Sequence, residues 1–335
     1  IVLTLLLLVS SVSSFLASTS SGIGRCFTTR VLAGGGEPSL LDVMSEAVSK
    51  SLKREVKLEP TRGGGASGGG GASVSAAIDP TTGEKFFIKT APLARGGSKM
   101  LRAEYVGVKE MGDTNTIRVP KAVAYGEGGP LNSAFVVFEY LEIGGRGSGF
   151  DLGRDLAKMH RCFSQKGHGF HVDNTIGATP QPNPWTEDWA EFWDTQRLGH
   201  MLKLTGNCGL TDNQAGQLRE KTKGLLSHNP EPSLIHGDLW GGNKGYARLG
   251  GESVPVIFDP ATYYGDREAD IAMTYVFGGF GSDFYEGYES EWPLPEGHEE
   301  RRMSYELYHI LNHCVLFGGG YCGQAKRMML DILRL

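Results

Sequence analysis

The sequence lacks several features that would assign a protein to a class at once. Its 335 residues carry a formal net charge of only −5, so we expect no nucleic-acid partner from bulk electrostatics. The apolar run at residues 1–9 is too short to span a bilayer, and no membrane segment is expected in the mature chain. Internal repeats are missing as well, which excludes a repeat array.

Cysteine is scarce and shows no pattern. The chain has five cysteines: Cys26, Cys162, Cys208, Cys314 and Cys322. They form no C-x-x-C pair and no zinc-ligand spacing, so the sequence predicts neither a zinc site nor a disulfide framework. The sequence leaves open whether single thiols are redox-active. The near absence of paired cysteines also favours a reducing compartment.

The remaining composition is that of a globular protein, with 40% hydrophobic and 21% charged residues. Single cores stop growing at roughly 250–300 residues, so this length predicts two lobes. We place a leader at residues 1–36, an N-lobe at 37–145 and a C-lobe at 146–335.

The N-terminal segment has the composition of a targeting sequence. The apolar run is followed at residues 10–21 by small and hydroxylated residues, as in the core and cleavage zone of a signal peptide. The next stretch contains Arg25 and Arg30 but no acid before Glu37, which is typical of a transit peptide. This order resembles the bipartite plastid leader of algae with secondary plastids. It predicts a plastid location, with simple secretion as the alternative.

Hydrophobic periodicity changes along the chain. The first half contains mostly strand patterns, at residues 56–58, 74–77, 85–90, 117–124 and 134–138, with helical spacing at 39–51 and 99–111. From residue 149 the spacing becomes helical, at 152–160, 186–204, 213–226, 299–317 and 324–335. The sequence therefore predicts an α+β fold, with a small β-rich N-lobe containing one helix and a larger, mostly helical C-lobe.

The stretch "LIHGDLWGGN", residues 234–243, matches the spacing of a phosphoryl-transfer loop. In the template H-R-D-x-x-x-x-N, the aspartate accepts the proton of the acceptor hydroxyl and the asparagine binds a metal. Here His236, Asp238 and Asn243 fit, and Gly237 replaces the arginine. Asp238 is thus the candidate base, whereas His236 is interpreted as a residue that packs the loop.

Other parts of a nucleotide site precede this loop in the expected order. A glycine-rich stretch at residues 63–71 is a candidate lid, because glycine lets backbone N–H groups approach phosphates. Its central members are Gly68, Gly69, Gly70 and Gly71. A flexible linker is the alternative, although predicted strands on both sides favour the lid.

Lys89 is the candidate cation for the phosphates. It stands in the apolar strand pattern "FFIKTA", as does the lysine of V-A-I-K. Glu104, in the following helix, is its candidate ion-pair partner, and Glu110 is a nearby alternative.

Asp259 ends the apolar strand pattern "VPVIFDP" and resembles a D-F-G aspartate, with Pro260 and Ala261 in place of Phe-Gly. With Asn243 it is the candidate Mg²⁺ pair, and an ordinary turn aspartate is the alternative. The adenine slot is expected between the lobes. There Glu139, Tyr140 and Leu141 would offer backbone groups.

Five segments together resemble the fructosamine-3-kinase (ketosamine-3-kinase) family. They read "HGDLWGGN", "FDPATYYGDREADIAMTYVFGGF", "GRDLAKMHR", "VDNTIGATPQPNPWTEDWAEFWDTQRL" and "LYHILNHCVLFGGGY". The resemblance covers roughly residues 39–335. It implies a bilobal protein-kinase-like fold, related to aminoglycoside and choline kinases, that uses ATP and Mg²⁺. It also implies phosphorylation of the 3-hydroxyl of ketosamines, sugars attached to protein lysines by glycation, with ribulosamines and erythrulosamines favoured over fructosamines.

The resemblance assigns roles by residue. Asp238 becomes the proton acceptor, Asn243 and Asp259 hold Mg²⁺, and Lys89 contacts the phosphates. Residues that would line or brace the acceptor side are Trp240, Asp266, Glu268 and Asp270, the last interpreted mainly as a helix cap or structural ion pair. The stripe Trp185, Trp189 and Trp193 is interpreted as core packing. Expected partners are glycated proteins or ketosamine small molecules, and the expected assembly is a monomer or a weak homodimer.

One position departs from the family pattern. Many members carry a cysteine in the glycine-rich loop, where this chain has Ala72. A disulfide-linked dimer through the lid is therefore not expected. Two other functions stay open: a small-molecule kinase of the aminoglycoside or choline type, and a pseudokinase. The pseudokinase is disfavoured because Lys89, Asp238, Asn243 and Asp259 are all present.

Overall fold

A computed structural model of the protein describes residues 38–61, 66–67 and 71–335. In the described part of the N-lobe, two helices flank a six-stranded antiparallel sheet. The helices are α1 (Leu40–Leu52) and α2 (Gly97–Asp113). The strands are β1 (Glu59–Pro60), β2 (Ala66–Ser67), β3 (Ser73–Ile78), β4 (Lys85–Pro92), β5 (Ala122–Gly128) and β6 (Ser133–Glu139). The sheet order is β1-β3-β4-β6-β5, and β2 also pairs with β3.

The N-lobe thus has two helices where the predicted architecture has one. Both segments with helical spacing in this part of the sequence form helices, α1 and α2. Ser39 and Asp42 form a capping box at the start of α1, which satisfies backbone N–H groups of the first turn. Met44 and Val48 then bury against the outer face of the sheet.

Strand β4 presents its two faces to different parts of the core. Phe86 and Ile88 pack with α1 on the outer face, whereas Phe87 and Ala91 pack towards α2. Because side chains alternate along a strand, Lys89 shares the face of Phe87 and Ala91. This alternation turns the lysine towards α2 and the C-lobe.

The described C-lobe is mostly helical. Its α-helices are α3 (Gly149–His160), α4 (Trp189–Phe192), α5 (Gly199–Leu204), α6 (Asp212–Leu225), α7 (Glu268–Val276), α8 (Ser282–Glu291), α9 (His298–Phe317) and α10 (Gly320–Arg334). Three strand pairs complete it: β7 (Asn174–Ile176) with β8 (Thr179–Gln181), β9 (Ser233–Ile235) with β12 (Tyr263–Gly265), and β10 (Lys244–Leu249) with β11 (Glu252–Ile257). The predicted bilobal, protein-kinase-like α+β fold is confirmed.

Most predicted C-lobe helices are confirmed within a few residues, but the helix predicted at 186–204 is not continuous. A π-helical segment, Trp193–Leu198, separates α4 from α5. Trp189 and Trp193 are buried in the main C-lobe core, as expected for packing residues. Trp185 is half-buried against Tyr264.

Cys314 and Cys322 form a disulfide, with their Cα atoms 4.7 Å apart, so the expectation of no disulfide was wrong at this place. The bond crosses the turn between α9 and α10, and this turn brings the two sulfurs together. The argument from cysteine usage for a reducing compartment loses its basis here. In the part of the chain that the structure describes, no helix combines the length and apolarity needed to cross a membrane.

Candidate active site

A cavity of about 300 Å³ lies between the lobes. Its wall is largely apolar, with Phe87, Val108, Pro120, Phe138, Ile143 and Phe258 among the lining residues. Glu139, Tyr140 and Leu141, expected at the adenine slot, line it where the chain passes from β6 into the C-lobe. Glu104 and Asp259 also line the cavity. An apolar slot with a few convergent polar groups is the usual form of a small-molecule site.

Lys89 is held between two carboxylates from different elements. Its Nζ lies 2.6 Å from Glu104 Oε1 on α2 and 2.7 Å from Asp259 Oδ1, just after β11. Burial by itself would lower the pKa of Lys89, but the two carboxylates outweigh it and raise the pKa. The side chain is therefore a buried cation. Glu110, the alternative partner, instead accepts a hydrogen bond from the Tyr264 hydroxyl at 2.8 Å.

Asn243 joins the catalytic loop to the segment of Asp259. Its Nδ2 donates to the Asp238 carbonyl oxygen at 2.9 Å, to Asp238 Oδ2 at 3.3 Å and to the Asp259 carbonyl oxygen at 3.2 Å. Asp259 has a φ of 57°, an uncommon conformation for a residue other than glycine. Such outliers persist where the surrounding structure imposes them, often at functional sites.

The same two residues fit a hard cation. Because the Asn243 amide nitrogen is committed to these acceptors, Oδ1 is the atom left for a ligand role. The Asp259 side chain is 49% exposed, so its carboxylate is accessible from the cleft. Carboxylate and amide oxygens are the protein ligands that Mg²⁺ takes. The donor chemistry therefore matches the predicted metal pair.

His236 and Asp270 hold the loop that carries Asp238. His236 Nε2 lies 2.9 Å from the Phe258 carbonyl oxygen, and its Nδ1 accepts from the Asp238 N–H at 3.2 Å. Burial lowers the pKa of His236, which keeps the ring neutral as this pairing requires. His236 is thus a packing residue, as interpreted from the sequence.

Asp270 fixes the backbone of this loop by hydrogen bonds. Its carboxylate accepts from the backbone N–H groups of His236 at 2.7 Å and Gly237 at 2.8 Å, and it lies 3.1 Å from His160 Nε2. From the sequence, Asp270 was predicted mainly as a helix cap or structural ion pair, with a place on the acceptor side as the alternative, and His160 was not among the predicted residues. A carboxylate inside the otherwise apolar run "ADIAM" was the available signal.

Gly237 explains why the arginine of the template is absent. Its φ is 81°, and an added Cβ would overlap the Ala261 carbonyl oxygen. Glycine is the residue that accepts this conformation without steric cost.

Asp238 has the electrostatics of a base that works near neutral pH. Burial and the Asp259 and Asp270 carboxylates raise the pKa of Asp238 to about 7, and the Asn243 hydrogen bond only partly opposes this. A pKa near the working pH suits a group that takes a proton in the transition state.

Trp240 lies two residues beyond the candidate base and is half-buried. Its ring packs edge-on against Phe277, with 6.3 Å between centroids. A Cβ on Gly242 would overlap the indole, so the glycine makes room for the ring. These contacts fix the Trp240 ring two residues from Asp238 along the chain, and its place on the acceptor side stays a prediction.

Asp266 and Glu268, also predicted on the acceptor side, lie elsewhere. Asp266 accepts from the Tyr305 hydroxyl, and Glu268 forms a two-bond ion pair with Arg301 at 2.7 and 2.8 Å. Both line a second cavity beside His228. Residues 268 and 270 point to different sides of α7 because they are two positions apart on a helix. The structure thus brings Asp270 to the loop and uses Asp266 and Glu268 to join α7 to α9.

The glycine-rich stretch is described only in part. Gly68, Gly69 and Gly70 lie outside the described residues, whereas Gly71 precedes β3 with a φ of 89°. Strands β2 and β3 pair antiparallel on either side of residues 68–71, with Ala66 opposite Val74. A hairpin at this place favours the lid interpretation over a linker.

Comparison with known proteins agrees with this geometry. The model of the fructosamine kinase family matches residues 44–335. A probable ketoamine kinase from Synechocystis is 44% identical over 256 residues, 75% of this chain and 84% of that protein. A chloroplastic protein-ribulosamine 3-kinase from Arabidopsis thaliana is 43% identical over 263 residues, 76% of this chain and 78% of that protein.

Solved structures show the same relationship. A crystal structure of a candidate fructosamine-3-kinase from Haemophilus somnus superposes with a TM-score of 0.74 at 26% identity, covering 87% of this chain and 96% of that one. The family match spans both lobes, including the cleft, the loop that carries Asp238 and the residues Asn243 and Asp259. The chain belongs to the fructosamine kinase family, and it is a kinase.

Proposed function

We propose that the protein uses ATP to phosphorylate the 3-hydroxyl of protein-bound ketosamines, and so acts in protein deglycation. Ribulosamine and erythrulosamine are the favoured acceptors, with fructosamine as a further one. The observation that carries the kinase chemistry is the convergence of Lys89, Asp259, Asn243 and Asp238 at one end of the cleft. The acceptor class rests on the plant relatives that are named protein-ribulosamine 3-kinases.

The residues divide the work between nucleotide and acceptor. The cavity between the lobes receives the adenine, with residues 139–141 along its edge. Lys89, a buried cation at the inner end, contacts the phosphates. Asp238 takes the proton from the acceptor hydroxyl, and Asp270 and His236 keep its loop in place.

Asn243 and Asp259 would hold Mg²⁺ through their side-chain oxygens. The ion, when bound, neutralises charge on the phosphate oxygens of the nucleotide. Trp240 supplies a flat apolar surface beside Asp238, where the carbon skeleton of a sugar adduct would lie.

We further propose that the mature protein works in the plastid. The plant relatives are named chloroplastic, and residues 1–36 have the composition of a signal-plus-transit leader. The test is a reporter fused to residues 1–36, followed by microscopy in an alga with secondary plastids. Plastid fluorescence supports the proposal, and secretion of the reporter contradicts it.

The decisive experiment for the acceptor is a panel of substrates with labelled ATP. Ribulosyl-, erythrulosyl- and fructosyl-lysine are compared with choline and an aminoglycoside, and the product is checked for phosphate on the 3-hydroxyl. Activity restricted to the ketosamines supports the proposal. Activity on choline or the aminoglycoside alone contradicts the acceptor assignment. Absence of ATP turnover on every acceptor would contradict the kinase chemistry itself.

A further inference from the structure

Three cysteine sulfurs meet in the C-lobe where α9 turns into α10. Cys314 and Cys322 are joined by a disulfide across this turn. The third, Cys208, precedes α6, and its Sγ lies 3.4 Å from Cys314 Sγ. Two sulfurs at this distance are in van der Waals contact, so a free thiol lies against one sulfur of an existing disulfide. The cluster is separate from the residues that line the cleft.

The backbone that carries Cys208 is strained. Residues 206–209 read Gly-Asn-Cys-Gly, and their φ angles are 56°, 58°, 47° and 78°. Left-handed backbone costs roughly 1–2 kcal/mol for most residues other than glycine, whereas asparagine tolerates it, so Cys208 is the residue that occupies an unfavourable conformation. The Asn207 amide donates to Asp212 Oδ1 at 3.0 Å and helps to hold the turn. Strain of this kind concentrates at functional sites, and here the strained residue carries the thiol that lies against Cys314.

We propose that Cys208, Cys314 and Cys322 form a thiol–disulfide exchange site. In this site Cys314 is disulfide-bonded to either Cys322 or Cys208. Cys208 gives its proton to solvent, and its thiolate attacks Cys314 Sγ. The Cys208–Cys314 bond forms as the Cys314–Cys322 bond breaks. Cys322 leaves as a thiolate and takes a proton from solvent. One disulfide and one thiol are present before and after, so the step needs no external oxidant or reductant.

The two pairings fasten different elements to the end of α9. The Cys314–Cys322 bond closes the glycine turn of residues 318–320 onto α10. The Cys208–Cys314 bond instead ties α9 to the strained turn before α6 and leaves Cys322 free on α10. Both Cys208 and Cys322 are half-buried, so whichever thiol is free can meet a small alkylating reagent.

The test is to trap the pairing in the native full-length chain. A short pulse of excess N-ethylmaleimide at neutral pH is quenched with acid before unfolding, and a digest without reduction is quantified by mass spectrometry. We expect both linked peptides, Cys314–Cys322 and Cys208–Cys314, at amounts within about tenfold of each other, or about 1.4 kcal/mol. The label should be divided between Cys322 and Cys208 accordingly. Finding Cys314–Cys322 as the sole pairing, with all label on Cys208, overturns the proposal. One equivalent of zinc held by three reduced thiols overturns it too.

Three variants make the result specific. Cys208→Ser should keep only the Cys314–Cys322 bond. Cys322→Ser has lost that bond, so it is incubated with oxidised glutathione as the two-electron oxidant and should then form the Cys208–Cys314 bond instead. Cys162→Ser, which changes a cysteine outside the cluster, should leave the distribution as in the wild type. A folded Cys322→Ser protein that forms no Cys208–Cys314 bond after this oxidation contradicts the proposal. If that variant does not fold, the wild-type distribution decides alone.

Discussion

Asp238 differs from the other cleft carboxylates in its partners. Asp259 and Glu104 both contact the Lys89 ammonium, whereas the Asp238 side chain receives one hydrogen bond from the neutral Asn243 amide. If Asp238 is the base, Asp238→Asn keeps its shape but cannot accept the proton. General-base contributions are about 10²–10⁴ in rate, so we expect kcat to fall by about this factor while the KM for ATP stays nearly constant. Steady-state kinetics on the preferred ketosamine measure both, and Asp113→Asn, an exposed carboxylate on α2, is the control. Near-normal turnover by Asp238→Asn would contradict the proposed mechanism.

The raised pKa of Asp238 has its own consequence for stability. Its pKa moves from an ordinary 3.8 to about 7, so between these pH values the folded protein without nucleotide and metal holds a proton that the unfolded chain has released. The free energy of unfolding therefore falls as pH rises through this window. Asp238→Asn removes the titration, and its stability advantage over the wild type should grow from pH 4 to pH 8. Urea unfolding with a chelator present measures this, with Asp113→Asn again as control. An advantage that does not change with pH would contradict the assignment.

Single residues also show what the sequence could and could not predict about the site. Lys89, Asp238, Asn243 and Asp259 were found because their chemistry fixes both residue type and order along the chain. Asp266 and Glu268 are near Asp270 in the sequence, yet their side chains contact Tyr305 and Arg301 on α9. The direction of a side chain around a buried helix depends on its neighbours in space, which spacing alone does not reveal.

At the scale of elements, the tight turn after β9 sets the position of the catalytic loop. Gly237→Ala adds a side chain where φ is 81° and where a Cβ overlaps the Ala261 carbonyl oxygen. The hairpin between β10 and β11 offers a matched control, because Gly250 has a φ of 60° but open space around its Cβ position. Both changes carry the left-handed cost of about 1–2 kcal/mol, and only Gly237→Ala adds the overlap. We therefore expect Gly237→Ala to lower the free energy of unfolding by more than Gly250→Ala and to reduce kcat. Urea unfolding and kinetics of the two variants measure this, and equal losses would contradict the account.

Elements differ in how well periodicity predicts them. Amphipathic helices such as α1, α6 and α10 were found because one face meets solvent and leaves a 3.6-residue pattern. Helix α7 is buried through most of its length, so that pattern is absent and its bounds could not be predicted. The break between α4 and α5 arises where a π-helical segment shifts the register.

Across the whole molecule, the hairpin of β10 and β11 is attached to both lobes. The Ile257 N–H donates to the Arg118 carbonyl oxygen at 3.1 Å, and the Gly144 N–H donates to that of Tyr246 at 2.9 Å. Asn243 immediately precedes this hairpin, and Asp259 follows it. The predicted metal ligands are thus positioned by N-lobe contacts as well as by the catalytic loop. The predicted boundary between the lobes, at residues 145 and 146, stays a prediction, and the hydrogen bonds of this hairpin cross it.

The ion pairs around Lys89 also predict which form of the nucleotide the cleft accepts. One ammonium and two carboxylates sum to one negative charge, so free ATP meets repulsion from a site that has already neutralised its own cation. A magnesium-loaded nucleotide brings the counter-charge that Asp259 needs, and Lys89 is then available to the phosphates. We expect calorimetry to show tighter binding of Mg-ATP than of ATP in chelator. Asp259→Asn should reduce this preference by weakening the binding of Mg-ATP and strengthening the binding of free ATP. An unchanged ratio of the two affinities would contradict the charge balance. On the proposed function, the charge balance of the cleft would select for the metal complex before any chemistry begins.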